Sequence, residues 1–128
     1  MPGSHRILIV EDEPDLLRIV EAYLKSCNFE VDSFTNPVQA LEHFRKNPSS
    51  FSLVLTDVRM PHMTGLELAK SVVAIKPSIK VMLMTAYQID SLAFQTGLDV
   101  IKHDDIITKP FELEQICDVV MKKLEILH

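Results

Sequence analysis

The sequence predicts a doubly wound α/β domain, a three-layer (βα)5 sandwich with helices on both faces of a five-stranded parallel sheet. Short stretches rich in apolar and β-branched residues alternate with longer stretches of helical spacing. Several short stretches are apolar at consecutive positions, as expected for strands that are covered on both faces. Strands joined through helices lie parallel with right-handed crossovers, so that the helices cover both faces of one sheet.

Five strands are predicted from the short apolar stretches. They are RILIV, EVDSF, SLVLT, KVMLMT and DIIT, at residues 6–10, 30–34, 52–56, 80–85 and 105–108. Only the second approaches an alternation of apolar and polar residues, which favours an edge position. A four-stranded sheet without the short last stretch is the main structural alternative.

Five helices are predicted from apolar residues that recur every three or four positions. They cover residues 14–27, 37–46, 66–76, 89–96 and 112–127, of which 89–96 has the weakest pattern. Pro14 and Pro37 stand in first turns, where a missing N–H is tolerated, and Asn36 is a favourable N-cap.

Length and composition are those of one soluble domain, with 128 residues of which 47% are hydrophobic. The formal net charge of −5 argues against a non-specific nucleic-acid binder. No apolar run approaches the ~20 residues that span a bilayer, and no stretch has the pattern of a signal peptide. We expect a cytoplasmic protein without membrane or nucleic-acid contacts. Residues 1–5 are interpreted as a disordered or expression-derived start, which suggests excision from a longer protein, and residues 6–128 as the domain.

The two cysteines, Cys27 and Cys117, fall on apolar faces of predicted helices. Without a C-x-x-C spacing, they are interpreted as small core residues with free thiols in a reducing compartment. The five histidines do not pair at zinc-ligand spacing. His62, in the stretch MPHMTG, is interpreted as a solvent-exposed loop residue.

Four of the five predicted strands end at, or directly before, a polar or charged residue. In chain order these residues are Glu11-Asp12-Glu13, Asp57, Thr85-Ala86 and Lys109-Pro110. Because the carboxyl ends of parallel strands meet at one edge of the sheet, these side chains are expected to lie together. Gly65, just after the turn that follows the third strand, is interpreted as supplying backbone freedom to enter the next helix.

Such a cluster indicates phosphoryl-transfer chemistry. Clustered carboxylates repel one another unless a cation lies among them, and a few oxygen ligands with room for water suit Mg2+. A carboxylate is also a nucleophile toward phosphorus and would give an aspartyl phosphate. A metal ion, a lysine and a hydroxyl would then stabilise charge on the transferred group.

The motifs ILIVEDEP, LVLTDVRMPHMTG, VMLMTAY and TKPF occur in this order. With them, the chain from Arg6 to Leu127 resembles the receiver domain of two-component response regulators. The resemblance implies the flavodoxin-like strand order 2-1-3-4-5, in which the first and third strands are neighbours. The acidic pair and Asp57 would then meet.

The resemblance also implies a role for each site residue. Asp57 would be the phospho-acceptor, Thr85 would bind the phosphoryl group and Lys109 would pair with a phosphoryl oxygen. The lysine would precede a cis peptide bond to Pro110. Asp12 would bind the metal directly, and Glu11 partly through water. The implied ligands of Mg2+, with Mn2+ as an alternative, are Glu11, Asp12, Asp57 and the backbone carbonyl of Arg59.

The implied function is a phosphorylation-controlled signalling module rather than a metabolic enzyme. A phosphohistidine on a histidine kinase or a histidine phosphotransfer protein would supply the phosphoryl group. The domain would catalyse only its own phosphorylation and dephosphorylation. The surface formed by the fourth and fifth helices and the fifth strand would respond, and it is also a candidate for homodimer contact.

The sequence departs from the family pattern at three places. Ile106 stands where the family often has a Tyr or Phe that swings inward, so the usual aromatic switch is not assumed. Lys102-His103 replace a common Gly-Ala before the fifth strand. Arg59 and Tyr87, two positions beyond the acceptor and the threonine, are both large. We hypothesise that they shield the phosphoryl group from water and prolong the signal.

Three other functions are weighed against a receiver. A Mg2+-dependent phosphatase usually needs a second carboxylate two residues after its aspartyl nucleophile, where Arg59 stands. A flavodoxin-like cofactor binder needs a phosphate-cradling loop after the first strand, and EDEP would repel a phosphate. A receiver that works without phosphorylation is disfavoured because each matching position carries a suitable group. The output stays open between a single-domain regulator and a part of a transcription factor or hybrid kinase.

Overall fold

The computed structural model describes residues 5–86 and 105–125. Its strands are β1 (Arg6–Val10), β2 (Glu30–Phe34), β3 (Leu53–Asp57), β4 (Lys80–Thr85) and β5 (Ile106–Thr108). Its helices are α1 (Pro14–Ser26), α2 (Pro37–Lys46), α3 (Gly65–Ile75) and the C-terminal helix (Leu113–Lys123), with a 3-10 turn at Pro48–Ser50. The helix predicted at 89–96 lies outside the described residues.

The sheet is parallel throughout and has the order β2-β1-β3-β4-β5. This confirms the predicted fold class and strand order. β2 is an edge strand, as its alternation indicated. The four-stranded alternative is wrong, because β5 pairs with β4 from Leu83↔Ile106 to Thr85↔Thr108.

Two apolar cores lie on opposite faces of the sheet. Ile7 and Ile9 of β1 enter the core under α1 and the C-terminal helix. Leu8 and Val10 enter the core under α2 and α3. All four side chains are fully buried. A continuous apolar strand thus supplies both faces, and its carboxyl end emerges at the sheet edge between the two helix layers.

Helix boundaries follow the capping groups. The Asn36 side chain accepts hydrogen bonds from the N–H groups of Val38 and Gln39, which confirms it as the N-cap of α2. Thr64 and Glu67 form a capping box, so α3 begins one residue earlier than predicted. The C-terminal helix ends at Lys123, before the predicted 127, and Glu125 has a positive φ of 59°.

The prediction of free thiols at Cys27 and Cys117 is wrong. The two residues form a disulfide, and their Cα atoms lie 6.7 Å apart. Cys27 is the C-cap of α1, and Cys117 lies in the C-terminal helix. Because these helices cover the same face of the sheet, they bring together cysteines that are 90 residues apart in sequence.

Candidate functional site

Asp57 is the last residue of β3 and lies at the carboxyl edge of the sheet. It is 7% exposed. Its Oδ1 atom accepts a hydrogen bond of 2.8 Å from the backbone N–H of Val58. Its Oδ2 atom lies 3.3 Å from the ammonium nitrogen of Lys109. One main-chain donor and one charged side chain therefore fix the orientation of this carboxylate.

The acidic pair follows β1, the immediate neighbour of β3. Glu11 is fully buried. Its Oε2 atom accepts a hydrogen bond of 3.1 Å from the N–H of Glu13, and its Oε1 atom accepts one of 3.0 Å from Lys109. Asp12 is half-buried beside it. The adjacency of the two strands brings the pair to Asp57.

The three acidic side chains form a compact cluster. Glu11, Asp12 and Asp57 each offer a carboxylate oxygen, and these atoms lie within 4.8 Å of one another. Lys109 contacts Glu11 and Asp57 and brings one positive charge to the three acidic groups. Converging hard oxygen donors with a surplus of negative charge suit Mg2+, so the residues present fit this ion.

The electrostatics of the cluster are visible in two pKa values. Burial raises the pKa of Glu11 to about 7, although hydrogen bonds from Glu13 and Lys109 oppose the rise; the charge of Asp57 adds to it. Burial acts to lower the pKa of Lys109, but the hydrogen bond to Glu11 and the negative charges of Asp57 and Glu11 together raise it. Lys109 therefore stays protonated and positively charged. An added metal ion would favour the ionised form of Glu11.

A close approach of α3 fixes the main chain at the acceptor. The N–H of Gly65 donates a hydrogen bond of 2.7 Å to the carbonyl oxygen of Val58. A Cβ at position 65 would lie 2.0 Å from the carbonyl oxygen of Asp57. The structure thus requires glycine for space, and the interpretation of Gly65 as a source of backbone freedom missed this reason.

Thr56 also holds this part of the main chain. Its fully buried hydroxyl donates a hydrogen bond of 2.9 Å to the carbonyl oxygen of Asp57. Sequence reasoning missed Thr56, because a threonine within an apolar strand is an ordinary β-branched residue. The Thr64-x-x-Glu67 spacing of the capping box, in contrast, is a signal that sequence reading could have used.

Thr85 lies in β4, the neighbour of β3 on its other side, and Lys109 directly follows β5, which pairs with β4. Thr85 is the last residue of β4 and is 1% exposed. The N–H of Lys109 donates a hydrogen bond of 2.8 Å to the carbonyl oxygen of Thr85. The Lys109–Pro110 peptide bond is cis, as the resemblance implied. The predicted hydroxyl and ammonium groups thus belong to the same edge of the sheet as Asp57.

The structure describes three of the other positions that the sequence singled out. Arg59 is exposed and lies two residues beyond Asp57. Ile106 is half-buried and packs against the core under α2 and α3. His62 is exposed, as predicted, and has a positive φ of 74°. Tyr87 and Lys102-His103 lie outside the described residues.

Comparisons with known proteins agree with this geometry. Residues 7–121 match the family model described as response regulator receiver domain. The chain is 34% identical over 119 residues to the response regulator receiver protein CpdR of Brucella abortus (strain 2308), covering 93% of this chain and 96% of that protein. The chain belongs to the response regulator receiver domain family.

A second relative is much longer than this chain. The transcriptional regulatory protein ZraR of Klebsiella oxytoca is 34% identical over 112 residues, which cover 86% of this chain and 24% of that protein. The chain therefore spans nearly the whole of one relative and about a quarter of the other.

Solved structures show the same fold. A response regulator receiver domain protein from Clostridium thermocellum has a TM-score of 0.85 at 21% identity, covering 94% of each chain. A chain from the CheX–CheY–BeF3–Mg2+ complex of Borrelia burgdorferi has a TM-score of 0.82 at 19% identity, covering 92% of this chain and 87% of that one.

Membership of the family fixes the broad function. Receiver domains are signalling modules of two-component systems rather than classical enzymes, and they interact with histidine kinases or phosphotransfer proteins. The family binds Mg2+ at an acidic pocket, where this chain has its cluster of three carboxylates. Among the residues that the structure describes, no helix combines the length and apolar character needed to cross a membrane.

Proposed function

We propose that Asp57 accepts a phosphoryl group from a phosphohistidine of a partner kinase or phosphotransfer protein, in a reaction that needs Mg2+. The observation that carries this proposal is the position of Asp57 between the acidic pair and Lys109. A buried carboxylate that is held by a main-chain N–H and faces an ammonium group is a preorganised nucleophile.

Mg2+ would be held by Glu11, Asp12, Asp57 and the carbonyl of Arg59, with Mn2+ as a substitute. When bound, it would offset the charge of the incoming phosphoryl oxygens. The cluster supports this role because one lysine faces three acidic groups. A phosphoryl group would otherwise add negative charge to a site that already has an excess of it.

The transfer exchanges one bond to phosphorus for another. An oxygen of Asp57 forms the new O–P bond while the P–N bond of the phosphohistidine breaks, and the departing imidazole keeps the electron pair. Lys109 would turn from the carboxylates toward a phosphoryl oxygen, and the Thr85 hydroxyl would donate a hydrogen bond to another. Attack of water on phosphorus would later release inorganic phosphate and restore the Asp57 carboxylate.

The lifetime of the phosphorylated state would depend on access of water. Arg59 is exposed beside the site, and its long side chain can cover a phosphoryl group on Asp57. We include Tyr87 in this shield, from its position two residues after Thr85. A double substitution Arg59→Ala, Tyr87→Ala would then dephosphorylate faster than the parent, and an unchanged rate would refute the shield.

The proposed output is a change in the surface that contains β5, the C-terminal helix and the helix predicted at 89–96. Ile106 would respond to Thr85 by a smaller side-chain movement than an aromatic residue makes. We place the receiver domain at residues 6–128, in the cytoplasm, with homodimer contact through this surface and without direct nucleic-acid binding.

The test is Mg2+-dependent labelling of the protein by acetyl phosphate, followed by intact mass. The parent protein should gain the mass of one phosphoryl group with Mg2+ and lose this gain with a chelator. Asp57→Asn should abolish it. The matched control is Asp15→Asn in α1, because Asp15 is also an aspartate but its side chain is 95% exposed.

Labelling that persists in Asp57→Asn, or that proceeds equally well with a chelator, would contradict the proposal. Loss of labelling in Asp15→Asn would show that the assay responds to general damage rather than to the acceptor.

A further inference from the structure

We propose that Cys27 and Cys117 are a reversible oxidative modification site that connects the redox state of the surroundings to the phosphorylation site. A low-molecular-weight disulfide such as oxidised glutathione would be the oxidant. The resulting bridge would tie the C-terminal helix to α1 and weaken the response at Asp57. The second part of this inference rests on the proposed function, whereas formation of the bridge does not.

The packing of two helices brings the sulfur atoms together. Cys27 closes the end of α1, and Cys117 lies in the second turn of the C-terminal helix. Their Cα atoms are 6.7 Å apart, within the range of about 4.4–6.8 Å over which disulfides form. The chain has 2 cysteines, so neither has another intramolecular partner.

The surroundings also suit the reduced pair. The Sγ atom of Cys117 lies 3.9 Å from the carbonyl oxygen of Tyr23, which would accept a weak hydrogen bond from a thiol. Cys117 belongs to the apolar core under α1 and the C-terminal helix, and Cys27 packs against this core, where a thiol acts as a small apolar group. Both oxidation states therefore fit the fold, as reversibility requires.

Exposure assigns the order of the two exchange steps. Cys27 is half-buried, whereas Cys117 is 4% exposed. The Cys27 thiolate attacks one sulfur of the small disulfide and releases the first small thiol. The Cys117 thiolate then attacks the Cys27 sulfur and releases the second. Two electrons pass from the cysteine pair to the small disulfide, and the two protons leave with the two released thiols.

The bridge joins two helices that both begin at the candidate site. α1 starts directly after the acidic residues, and the N–H of Leu17 donates to the carbonyl of Glu13. The C-terminal helix starts four residues after Lys109. A phosphoryl group on Asp57 would change the contacts that Lys109 makes with Glu11 and Asp57, and we expect the segment that follows Lys109 to adjust. A bridge from Cys117 to α1 restrains that adjustment, so we expect oxidation to weaken the response.

The experiment compares four proteins in oxidised glutathione and in dithiothreitol: the parent, Cys27→Ser, Cys117→Ala and the double variant. Thiol titration and intact mass report the bridge. The parent should lose both free thiols and two hydrogen masses in oxidised glutathione and regain them in dithiothreitol. Its urea midpoint should rise by about 1 M or more on oxidation, because the bridge closes a long loop in the unfolded chain. The double variant should show neither change.

The affinity for beryllofluoride in the presence of Mg2+ measures the response of the phosphorylation site at Asp57. Oxidation should weaken binding to the parent at least threefold and leave binding to the double variant unchanged. The reduced parent is the unbridged control, so the comparison does not depend on correct folding of any variant. Free thiols that persist in oxidised glutathione, or stable glutathione adducts in place of the bridge, would overturn the redox site. Equal affinities of the oxidised and reduced parent would overturn its coupling to Asp57.

The two proposals fail in different ways. If no protein binds beryllofluoride in either buffer, the phosphorylation proposal fails, and with it the coupling of the bridge to Asp57. The thiol titration and the urea midpoint still decide whether the pair is a redox site. If every protein binds beryllofluoride equally in both buffers, the phosphorylation proposal survives and the coupling is refuted.

Discussion

Two lysine–carboxylate clusters lie at opposite edges of the same sheet, and they differ in charge balance. At the carboxyl edge, Lys109 meets the cluster of Glu11, Asp12 and Asp57. At the amino end of β5, Lys123 of the C-terminal helix pairs with Asp105, which is 1% exposed. This second contact is an ion pair between one lysine and one carboxylate, and it connects the C-terminal helix to the sheet. The first has acidic groups in excess, so a further cation can bind there.

The pair of Lys123 and Asp105 is a structural ion pair, whereas the cluster around Lys109 is a candidate functional site. A buried carboxylate with its own lysine contributes to stability mainly because removal of one partner leaves the other charge uncompensated. At the carboxyl edge, burial raises the pKa of Glu11 to about 7, and the charge of Asp57 adds to the rise. Burial of several carboxylates around one lysine therefore identifies the edge at which chemistry is expected.

The largest expected effect concerns the main chain of the candidate site. Gly65→Ala would place a Cβ 2.0 Å from the carbonyl oxygen of Asp57, so α3 must shift away from β3. We expect a loss of about 3 kcal/mol in the free energy of unfolding, the upper part of the range for overpacking. Urea denaturation measures it, with Lys70→Ala on the exposed face of α3 as control. A loss below about 1 kcal/mol would show that the backbone contact is not limiting.

The ion pair between Lys123 and Asp105 gives the next largest expected loss of stability. Asp105→Asn removes the charge that faces Lys123, whose side chain is 25% exposed. Because water partly compensates the lysine, we expect a loss of roughly 2 kcal/mol, below the 3–5 kcal/mol of fully buried pairs. The exposed Asp118 of the C-terminal helix supplies the control Asp118→Asn. Equal urea midpoints for the two variants would contradict a stabilising role of the Lys123–Asp105 ion pair.

The two lysine–carboxylate clusters should also differ in how they make the stability of the metal-free protein depend on pH. The pKa of Glu11 is raised in the folded state to about 7 from an ordinary 4.5, so the folded protein binds this proton more tightly than the unfolded chain. Its contribution to stability is complete below pH 4.5 and is lost as the pH rises to 7. The loss should be about 2 kcal/mol, below the upper limit of 1.36 kcal/mol for each pH unit between 4.5 and 7, because relaxation and water penetration soften the effect of burial.

Glu11→Gln should lack this component, whereas Asp105→Asn should keep it. Urea denaturation in a chelator at several pH values measures the difference between the parent and each variant. Identical pH profiles for the parent and Glu11→Gln would contradict a raised pKa of Glu11 in the folded protein.

The smallest expected change in stability is a gain without Mg2+ and a loss with it. Asp12→Asn removes one negative charge from the crowded cluster, so the metal-free protein should gain up to about 1 kcal/mol in stability. With Mg2+ the order should reverse, because the parent binds the ion more tightly and gains stability from it. Thermal unfolding with Mg2+ and with a chelator measures both. A variant that is less stable than the parent under both conditions would contradict a surplus of negative charge.

Sequence reading predicted the sheet and the polar strand ends because both depend on local pattern. β1 and β3 each contain a run of apolar residues; β1 is followed directly by Glu11 and Asp12, and β3 ends at Asp57. Parallel pairing then places those ends together without further information. The assignment of roles to Asp57, Thr85 and Lys109 came instead from the resemblance to a family.

Features that depend on tertiary packing were not predictable in the same way. The space needed at Gly65 depends on how closely α3 approaches β3, which no local pattern states. The bridge between Cys27 and Cys117 depends on the packing of two helices across 90 residues of sequence. The pairing of Lys123 with Asp105 depends on the same helix packing, since both residues are ordinary in sequence.

The most direct test of the account is calorimetric titration of Mg2+ into the parent, Asp12→Asn, Asp57→Asn and Asp105→Asn. We expect one Mg2+ per parent chain, loss of binding or at least a tenfold weakening in Asp12→Asn and Asp57→Asn, and unchanged affinity in Asp105→Asn. Unchanged affinity in Asp12→Asn and Asp57→Asn would contradict the account, and so would loss of binding in a folded Asp105→Asn protein.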